Sequence, residues 1–160
     1  MSEVPKKILI FGAYGNLGKI ISKDLTLKFK ILKVGRGLGS QIRIKNYTNI
    51  PDIIKKTSPD IIINLIAETN VDYCEKNKKI AKVSNVETVK KIVEGIEKIK
   101  KIVKFIHFST DQVYSKKKVA NKENDAHPIN YYAKTKLQSE GIALKCRAIV
   151  IRVNLLANNL

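Results

Sequence analysis

Short apolar runs alternate with longer amphipathic stretches along this chain, and this alternation constrains the fold more than any other feature. The runs are apolar at nearly every position and lie at 7–11, 29–34, 61–66, 102–108 and 148–153. Continuous apolar strands are typical of parallel sheets that are covered on both faces. The sequence therefore predicts a doubly wound, Rossmann-like α/β fold with strand order 3-2-1-4-5-6.

The amphipathic stretches place the helices between these strands. Apolar residues at helical spacing predict helices over 16–27, 50–57, 81–100 and 131–144. A short alternating segment at 41–45 predicts the third strand of the six, and the polar, lysine-rich stretch 115–127 predicts a loop. No linker or internal repeat interrupts the pattern, so we expect one domain over residues 1–160.

The charge balance is strongly basic, because 31 Lys and Arg residues face 14 Asp and Glu residues, which gives a net charge of +17. Nucleic-acid surfaces favour arginine for bidentate contacts and aromatic residues for stacking. Aromatic residues make up only 6% of this chain, Trp is absent, and the arginines are Arg36, Arg43, Arg147 and Arg152. We interpret the excess as a solvated lysine surface and expect no nucleic-acid partner.

The chain has only two cysteines and two histidines, which limits the metal and redox sites that it could form. Cys74 and Cys146 form no CxxC motif, and His107 and His127 show no metal-ligand spacing, so no metal site is expected. The apolar stretch near the N-terminus is too short for a signal peptide or a membrane span. We therefore expect a cytoplasmic protein without a membrane partner.

A glycine-rich loop, GAYGNLG at residues 12–18, follows the first predicted strand and opens the first predicted helix. In this context the first glycine permits a tight turn, the second lets backbone approach a pyrophosphate, and the third lets the helix pack against the sheet. The helix N-terminus offers free N–H groups and partial positive charge to the phosphates. The loop residues expected to contact a dinucleotide are Gly12, Tyr14, Gly15, Asn16, Leu17 and Gly18.

The end of the second strand indicates which dinucleotide is bound. An acidic residue there would accept hydrogen bonds from the ribose 2′-hydroxyl of NAD. This chain instead has Gly35 followed by Arg36, whose guanidinium suits a 2′-phosphate. NADPH is therefore the expected cofactor, with NAD as the alternative.

Tyr132 and Lys136 stand four residues apart and share one face of the last predicted helix. An ammonium beside a phenol stabilises the phenolate and lowers the phenol's pKa, which suits Tyr132 to proton transfer to a carbonyl oxygen. Tyr114 and Lys118 repeat the spacing, but Tyr114 precedes a polar loop. Tyr132 follows the strand that ends in Thr110, at the edge where doubly wound folds bind ligands.

Four segments together resemble the extended short-chain dehydrogenase/reductases, and among them the dTDP-4-dehydrorhamnose reductase group. They are the glycine loop at 12–18, NLIAETNVD at 64–72, FSTDQVY at 108–114 and YAKTKLQSE at 132–140. The resemblance implies that Thr110 hydrogen-bonds the substrate carbonyl, that Tyr132 donates the proton, and that Lys136 binds the nicotinamide ribose and tunes Tyr132. The remaining residues that it implies at the cofactor are Leu65, Ile66, Ala67 and Thr69.

The resemblance also implies an activity, NADPH-dependent reduction of a 4-keto nucleotide sugar, and a homodimer is one expected assembly. Alternatives are a nucleotide-sugar epimerase or dehydratase of the same superfamily, or a non-catalytic NADP-binding or regulatory protein. In this family a C-terminal region holds most of the sugar nucleotide. Because the chain stops at Leu160, just past the sixth strand, that substrate region is expected to be absent.

Overall fold

The computed structural model describes residues 4–115 and 120–154, and it contains one parallel sheet of six strands. The strands are β1 (Lys7–Phe11), β2 (Lys30–Gly35), β3 (Ile42–Arg43), β4 (Ile61–Asn64), β5 (Lys104–Thr110) and β6 (Ile149–Val153). Their order is β3-β2-β1-β4-β5-β6, which confirms the predicted topology. The chain reverses its direction of travel across the sheet between β1 and β4. In doubly wound folds the ligand-binding crevice lies outside the carboxyl ends of the strands at such a point.

Alternate residues of the central strands feed two separate apolar clusters. Leu9 and Phe11 of β1 point to the larger cluster, which is completed by β4, β5 and the helices packed on that face. Ile8 and Ile10 point to the smaller cluster beneath the first helix. Because both faces of β1 are covered from Ile8 to Phe11, all four of these positions are apolar, as the sequence pattern requires.

The helices are α1 (Asn16–Leu25), α2 (Ile50–Thr57), α3 (Val71–Lys76), α4 (Lys78–Lys82), α5 (Thr88–Glu97) and α6 (Tyr131–Leu144). A π-helical segment, Val83–Glu87, joins α4 to α5, and short 3₁₀ turns cover Tyr47–Asn49, Asp111–Val113 and Glu123–Asp125. No helix within the described ranges is long and apolar enough to cross a membrane.

The structure corrects three of the predicted elements. The helix expected over 81–100 is divided by the π segment, and the short helix α3 was not predicted. The strand expected over 61–66 ends at Asn64, whose side-chain oxygen accepts a hydrogen bond from the Ile66 amide and turns the chain. Within the predicted loop 115–127, residues 116–119 lie outside the described part of the chain.

Candidate active site

The turn between β1 and α1 depends on glycine at two places. Gly12 has a φ of +81°, and a Cβ added to it would lie 3.0 Å from the Leu65 carbonyl carbon. A Cβ on Gly18 would lie 2.2 Å from the Gly12 carbonyl oxygen and 2.7 Å from Ala13 backbone atoms. The turn, the start of α1 and the chain leaving β4 are therefore packed closely enough to exclude larger residues.

Within the described part of the chain, no side chain accepts a hydrogen bond from the first N–H groups of helix α1. Its N-cap is Gly15, no side chain caps it, and its first turn contains no acidic residue. Asn16 is exposed and Leu17 is half-buried at this end. Free N–H groups together with the positive end of the helix dipole form a site suited to phosphate. The residues present therefore fit the pyrophosphate of a dinucleotide.

Tyr14 and Arg36 lie at the carboxyl end of β2, on the side where an adenosine would be expected. The Tyr14 hydroxyl accepts a hydrogen bond from the Gln41 amide at 2.6 Å, and its ring packs over Gly35. Arg36 is exposed, and its side chain donates one long hydrogen bond among the described residues, 3.4 Å to the Tyr47 hydroxyl. No ion pair of Arg36 with a carboxylate occurs among the described residues. Its charge is thus available to an anionic group.

The turn after β4 passes directly beside the glycine turn. The Leu65 amide donates to the Phe11 carbonyl at 2.9 Å, and Asn64 holds the Ile66 amide at 3.2 Å. Ile66 is buried, Leu65 and Ala67 are half-buried, and Thr69 is exposed. The backbone from Leu65 to Ala67 therefore lies beside the glycine turn at the carboxyl end of β4, with the Ile66 side chain in the larger apolar cluster and Thr69 further along the chain.

Thr110, Tyr132 and Lys136 converge where β5 meets the start of α6. Thr110 is the last residue of β5, and its side chain lies beside the phenol of Tyr132 and acts to lower the pKa of that phenol. Tyr132 and Lys136 are both buried, with 7% and 2% of their surfaces exposed. The Lys136 ammonium donates to the Phe108 carbonyl of β5 at 2.6 Å. The structure thus brings together the three residues that the sequence proposed as catalytic.

Burial dominates the electrostatics of this trio. Desolvation lowers the pKa of Lys136 to about 8, and the Glu140 carboxylate partly opposes this change. Desolvation raises the pKa of Tyr132, and the Thr110 side chain only partly offsets this increase. In this structure the pKa of Tyr132 lies above its ordinary value, because burial has the largest effect on the phenol and the Lys136 ammonium is bound to the Phe108 carbonyl. That Lys136 lowers the pKa of Tyr132 stays a prediction for the complex with cofactor.

A buried ion pair lies one turn further along α6. Glu140 accepts from Arg152 of β6 at 2.6 Å and from the hydroxyl of Ser109. Arg152 also donates to the Tyr114 hydroxyl at 2.6 Å and to the Glu123 carbonyl at 2.8 Å. The pair therefore ties α6, β5 and β6 to the two segments that flank residues 116–119. Tyr114 is committed to Arg152 and does not compete with Tyr132.

Asn85 is a site residue that the sequence analysis missed. From the π-helical segment it accepts from the Glu68 amide at 2.7 Å and donates to the Glu68 carbonyl at 3.1 Å and the Thr135 hydroxyl at 2.9 Å. Thr135 in turn donates to the Tyr132 carbonyl at 2.7 Å. A buried asparagine inside an apolar helical pattern was the available signal, since such a group needs partners.

A parallel doubly wound sheet with a glycine turn at its crevice and a Thr, Tyr and Lys cluster beside it places this chain in the class of dinucleotide-binding α/β domains. Its sequence matches the family described as "RmlD substrate binding domain" over residues 6–159, and the chain belongs to that family.

Individual relatives agree with this assignment. The chain is 31% identical to dTDP-4-dehydrorhamnose reductase of Aggregatibacter actinomycetemcomitans, an alignment that covers 92% of this chain and 51% of the relative. The chain is also similar to a solved structure, a hypothetical dTDP-4-dehydrorhamnose reductase from Sulfolobus tokodaii, with 35% sequence identity and a TM-score of 0.79. That match covers 91% of this chain and 55% of the Sulfolobus protein. The chain thus spans about half the length of these relatives.

A second solved structure supports the fold alone, because its sequence identity is only 24%. It is dTDP-4-dehydrorhamnose reductase from Bacillus anthracis in complex with NADP, with a TM-score of 0.84. The match covers 95% of this chain and 54% of that protein.

Proposed function

We propose that this chain is the cofactor-binding part of an NADPH-dependent reductase that acts on a 4-keto nucleotide sugar. One observation carries the proposal: the Thr110, Tyr132 and Lys136 cluster lies at the same edge of the sheet as the phosphate-binding start of α1. The reductase names of the relatives support the same reaction class.

In this proposal NADPH lies along the carboxyl edge of the sheet. The pyrophosphate contacts the turn containing Gly12, Gly15 and Gly18, and the chain from Leu65 to Ala67 lines the crevice beyond it. Arg36, exposed and without a carboxylate in the described part of the chain, is placed for the 2′-phosphate.

The chemistry assigned to the chain's own residues is proton transfer and orientation. When bound, the reduced nicotinamide supplies the hydride, which adds to the carbonyl carbon of the sugar. Tyr132 gives its phenolic proton to the carbonyl oxygen, so the C=O double bond becomes a C–OH group. Thr110 donates a hydrogen bond to the same oxygen, and bulk solvent later returns a proton to Tyr132.

Lys136 has two tasks in this scheme. Its ammonium holds the cofactor ribose, and its positive charge favours the phenolate that Tyr132 becomes during the reaction. A pKa of about 8 leaves Lys136 mainly protonated at neutral pH. Glu140, one helical turn away, favours that protonated form. The cytoplasmic location, the homodimer and the two alternative functions remain predictions.

Calorimetric titration with NADPH and NADH tests the cofactor assignment. We expect NADPH to bind more tightly, and Arg36→Ser to weaken NADPH binding by about tenfold or more while leaving NADH binding unchanged, because a charge-assisted contact is lost. Arg43→Ser, an exposed arginine on the neighbouring strand, is the matched control. Equal affinities for the two dinucleotides would refute the role of Arg36.

Oxidation of NADPH with a dTDP-4-keto-6-deoxy sugar tests the reaction. Tyr132→Phe is expected to lower turnover by about 10²–10⁴-fold, the usual contribution of a general acid, with the NADPH dissociation constant nearly unchanged. Tyr114→Phe, which removes a hydroxyl from the other Tyr-x-x-x-Lys segment, is the control. Turnover that survives in Tyr132→Phe would remove Tyr132 from its role.

A further inference from the structure

A fully buried histidine, His107, lies at the centre of a hydrogen-bond chain that the proposed reaction does not use. Its neighbour on β4 is Asn64, with an Asn64 Nδ2 to His107 Nδ1 distance of 3.1 Å. On α6, Ser139 Oγ lies 2.9 Å from His107 Nε2 and donates to the Lys136 carbonyl at 2.7 Å. All three side chains are 0% exposed.

The two ends of this chain fix the direction of every hydrogen bond in it. The Ile66 amide is a donor, so the Asn64 oxygen must face it, and the Asn64 NH₂ group then faces His107. Nδ1 of His107 must therefore be an acceptor. At the other end, the Lys136 carbonyl can only accept, so the single Ser139 proton points to it and Nε2 of His107 must be the donor.

Both ends thus demand the same state of His107, a neutral imidazole with its proton on Nε2. Its surroundings disfavour the cation as well. Burial, and then repulsion by the Lys136 ammonium on α6, lower the pKa of His107 well below its ordinary value. The groups facing it from the neighbouring strands are Asn64 of β4 and Val150 of β6, which are paired with it in register, and neither carries charge.

We propose that His107 is a positioning residue that links the cofactor-lining turn after β4 to the catalytic helix α6. Through Asn64 it holds the Ile66 amide, and through Ser139 it holds the backbone of Lys136. The turn after β4 is thereby held at a fixed distance and orientation relative to Tyr132 and Lys136 on α6. This inference rests on the proposed function for its benefit to the cofactor, but the link itself is a property of the free protein.

Three variants separate hydrogen bonding from simple packing. His107→Gln retains one acceptor for Asn64 and one donor for Ser139 and cannot be protonated. His107→Leu fills the site with an apolar side chain, so the Asn64 NH₂ group loses its acceptor and the Ser139 oxygen loses its donor. Phe105→Leu is the matched control, because Phe105 is 1% exposed on the same strand, with its ring centroid 6.2 Å from that of His107, and has no part in the chain.

The first two measurements are made on the protein without cofactor. Nitrogen NMR of the His107 ring at pH 7 is expected to show a protonated Nε2 and an unprotonated Nδ1. Hydrogen exchange at the Ile66 amide, relative to that at Ile10 in β1, is expected to rise by about tenfold in His107→Leu, since Asn64, which accepts from the Ile66 amide, loses the buried bond that orients it. His107→Gln and Phe105→Leu should leave this ratio within about threefold of the original protein.

The third measurement is the dissociation constant for NADPH, which should rise by about tenfold in His107→Leu and stay within about threefold in the other two variants. An imidazolium, the opposite tautomer, or an unchanged Ile66 ratio in His107→Leu would overturn the proposal. The proposal would also be overturned if His107→Gln lost as much NADPH affinity as His107→Leu.

The role of His107 can still be tested if the protein binds no NADPH or if His107→Leu does not fold. If the original protein binds no NADPH, the proposed function fails, while the tautomer and the Ile66 exchange ratio still decide the role of His107. If His107→Leu does not fold, Ser139→Ala removes the acceptor of the His107 Nε2 proton instead. An Ile66 ratio that fails to rise in Ser139→Ala would then overturn the link.

Discussion

The contact between Gly18 and the Gly12 carbonyl gives the sharpest prediction about the cofactor turn. Gly18→Ala would place a Cβ 2.2 Å from that oxygen and 2.7 Å from the Ala13 carbonyl carbon and Cα. Real Cβ atoms essentially never approach a heavy atom that closely. Because every atom it meets belongs to backbone, α1 and the turn must separate.

The magnitude follows from two opposing contributions. Replacing a helical glycine with alanine stabilises a helix by about 1 kcal/mol. Overpacking costs about 1–3 kcal/mol, and a contact with rigid backbone belongs at the upper end of that range. We therefore expect Gly18→Ala to lower the free energy of unfolding by about 2 kcal/mol. The separation also spoils the phosphate-binding turn, so NADPH affinity should fall by at least about tenfold.

Two other glycines supply matched controls with the same substitution. Gly141 lies in α6 with nothing within 4 Å of an added Cβ, so Gly141→Ala should stabilise the protein by about 1 kcal/mol. Gly95 faces α2, where an added Cβ would lie 2.7 Å from the Ile54 Cδ1 atom and also 3.0 Å from the Pro51 Cα atom of the backbone. Gly95→Ala should therefore lower stability but leave NADPH affinity unchanged.

Urea unfolding measures the free energies, and calorimetric titration with NADPH measures the affinities of the variants that fold. The reasoning requires loss of both quantities in Gly18→Ala, loss of stability alone in Gly95→Ala, and loss of neither in Gly141→Ala. A Gly18→Ala protein as stable as the original, with the same NADPH affinity, would refute the close packing described for this turn.

Three further predictions concern buried charge. Glu140→Gln should destabilise the protein by about 3 kcal/mol in urea unfolding, because the half-buried Arg152 loses its carboxylate partner and keeps only neutral acceptors. Glu87→Gln, in an exposed pair, should cost less than about 1 kcal/mol. The pKa of His107 in the folded protein lies well below 6.5, its ordinary value. The stabilisation from the neutral, buried His107 is therefore complete above pH 6.5, and it decreases at lower pH by up to about 1.4 kcal/mol per pH unit. The difference in unfolding free energy between the original protein and His107→Gln, measured from pH 7.5 to 5, should show this slope, and a flat difference would contradict the neutral buried state. NADPH affinity should fall as pH rises through about 8, where Lys136 loses its proton, and calorimetry at pH 7 and pH 9 should detect the fall.

Local pattern predicted most of the fold. The bounds of β1, α2 and α6 agree with the sequence because each depends on periodicity and a clear terminator. The sheet order followed from the continuous apolar strands, and both the glycine turn and the Tyr132 helix were placed correctly because their motifs are contiguous in sequence.

The features that were missed depend on contacts between distant residues. Asn85 divides the predicted helix through bonds to Glu68 and Thr135, which are 17 and 50 positions away. His107 was noted only as a histidine without metal-ligand spacing, since its hydrogen-bond partners are 43 and 32 positions away. The burial that raises the Tyr132 pKa likewise appears only once the sheet and α6 are packed together.

The central claim is that a nicotinamide dinucleotide binds in the crevice with its reactive ring beside Tyr132. The most direct test saturates isotope-labelled protein with NADP⁺ and records nuclear Overhauser effects between the nicotinamide ring protons and the Tyr132 ring protons. The structure predicts such contacts, together with shifted amide signals at Gly15 and Lys136. Binding without any contact to Tyr132, or no binding at all, would contradict the account.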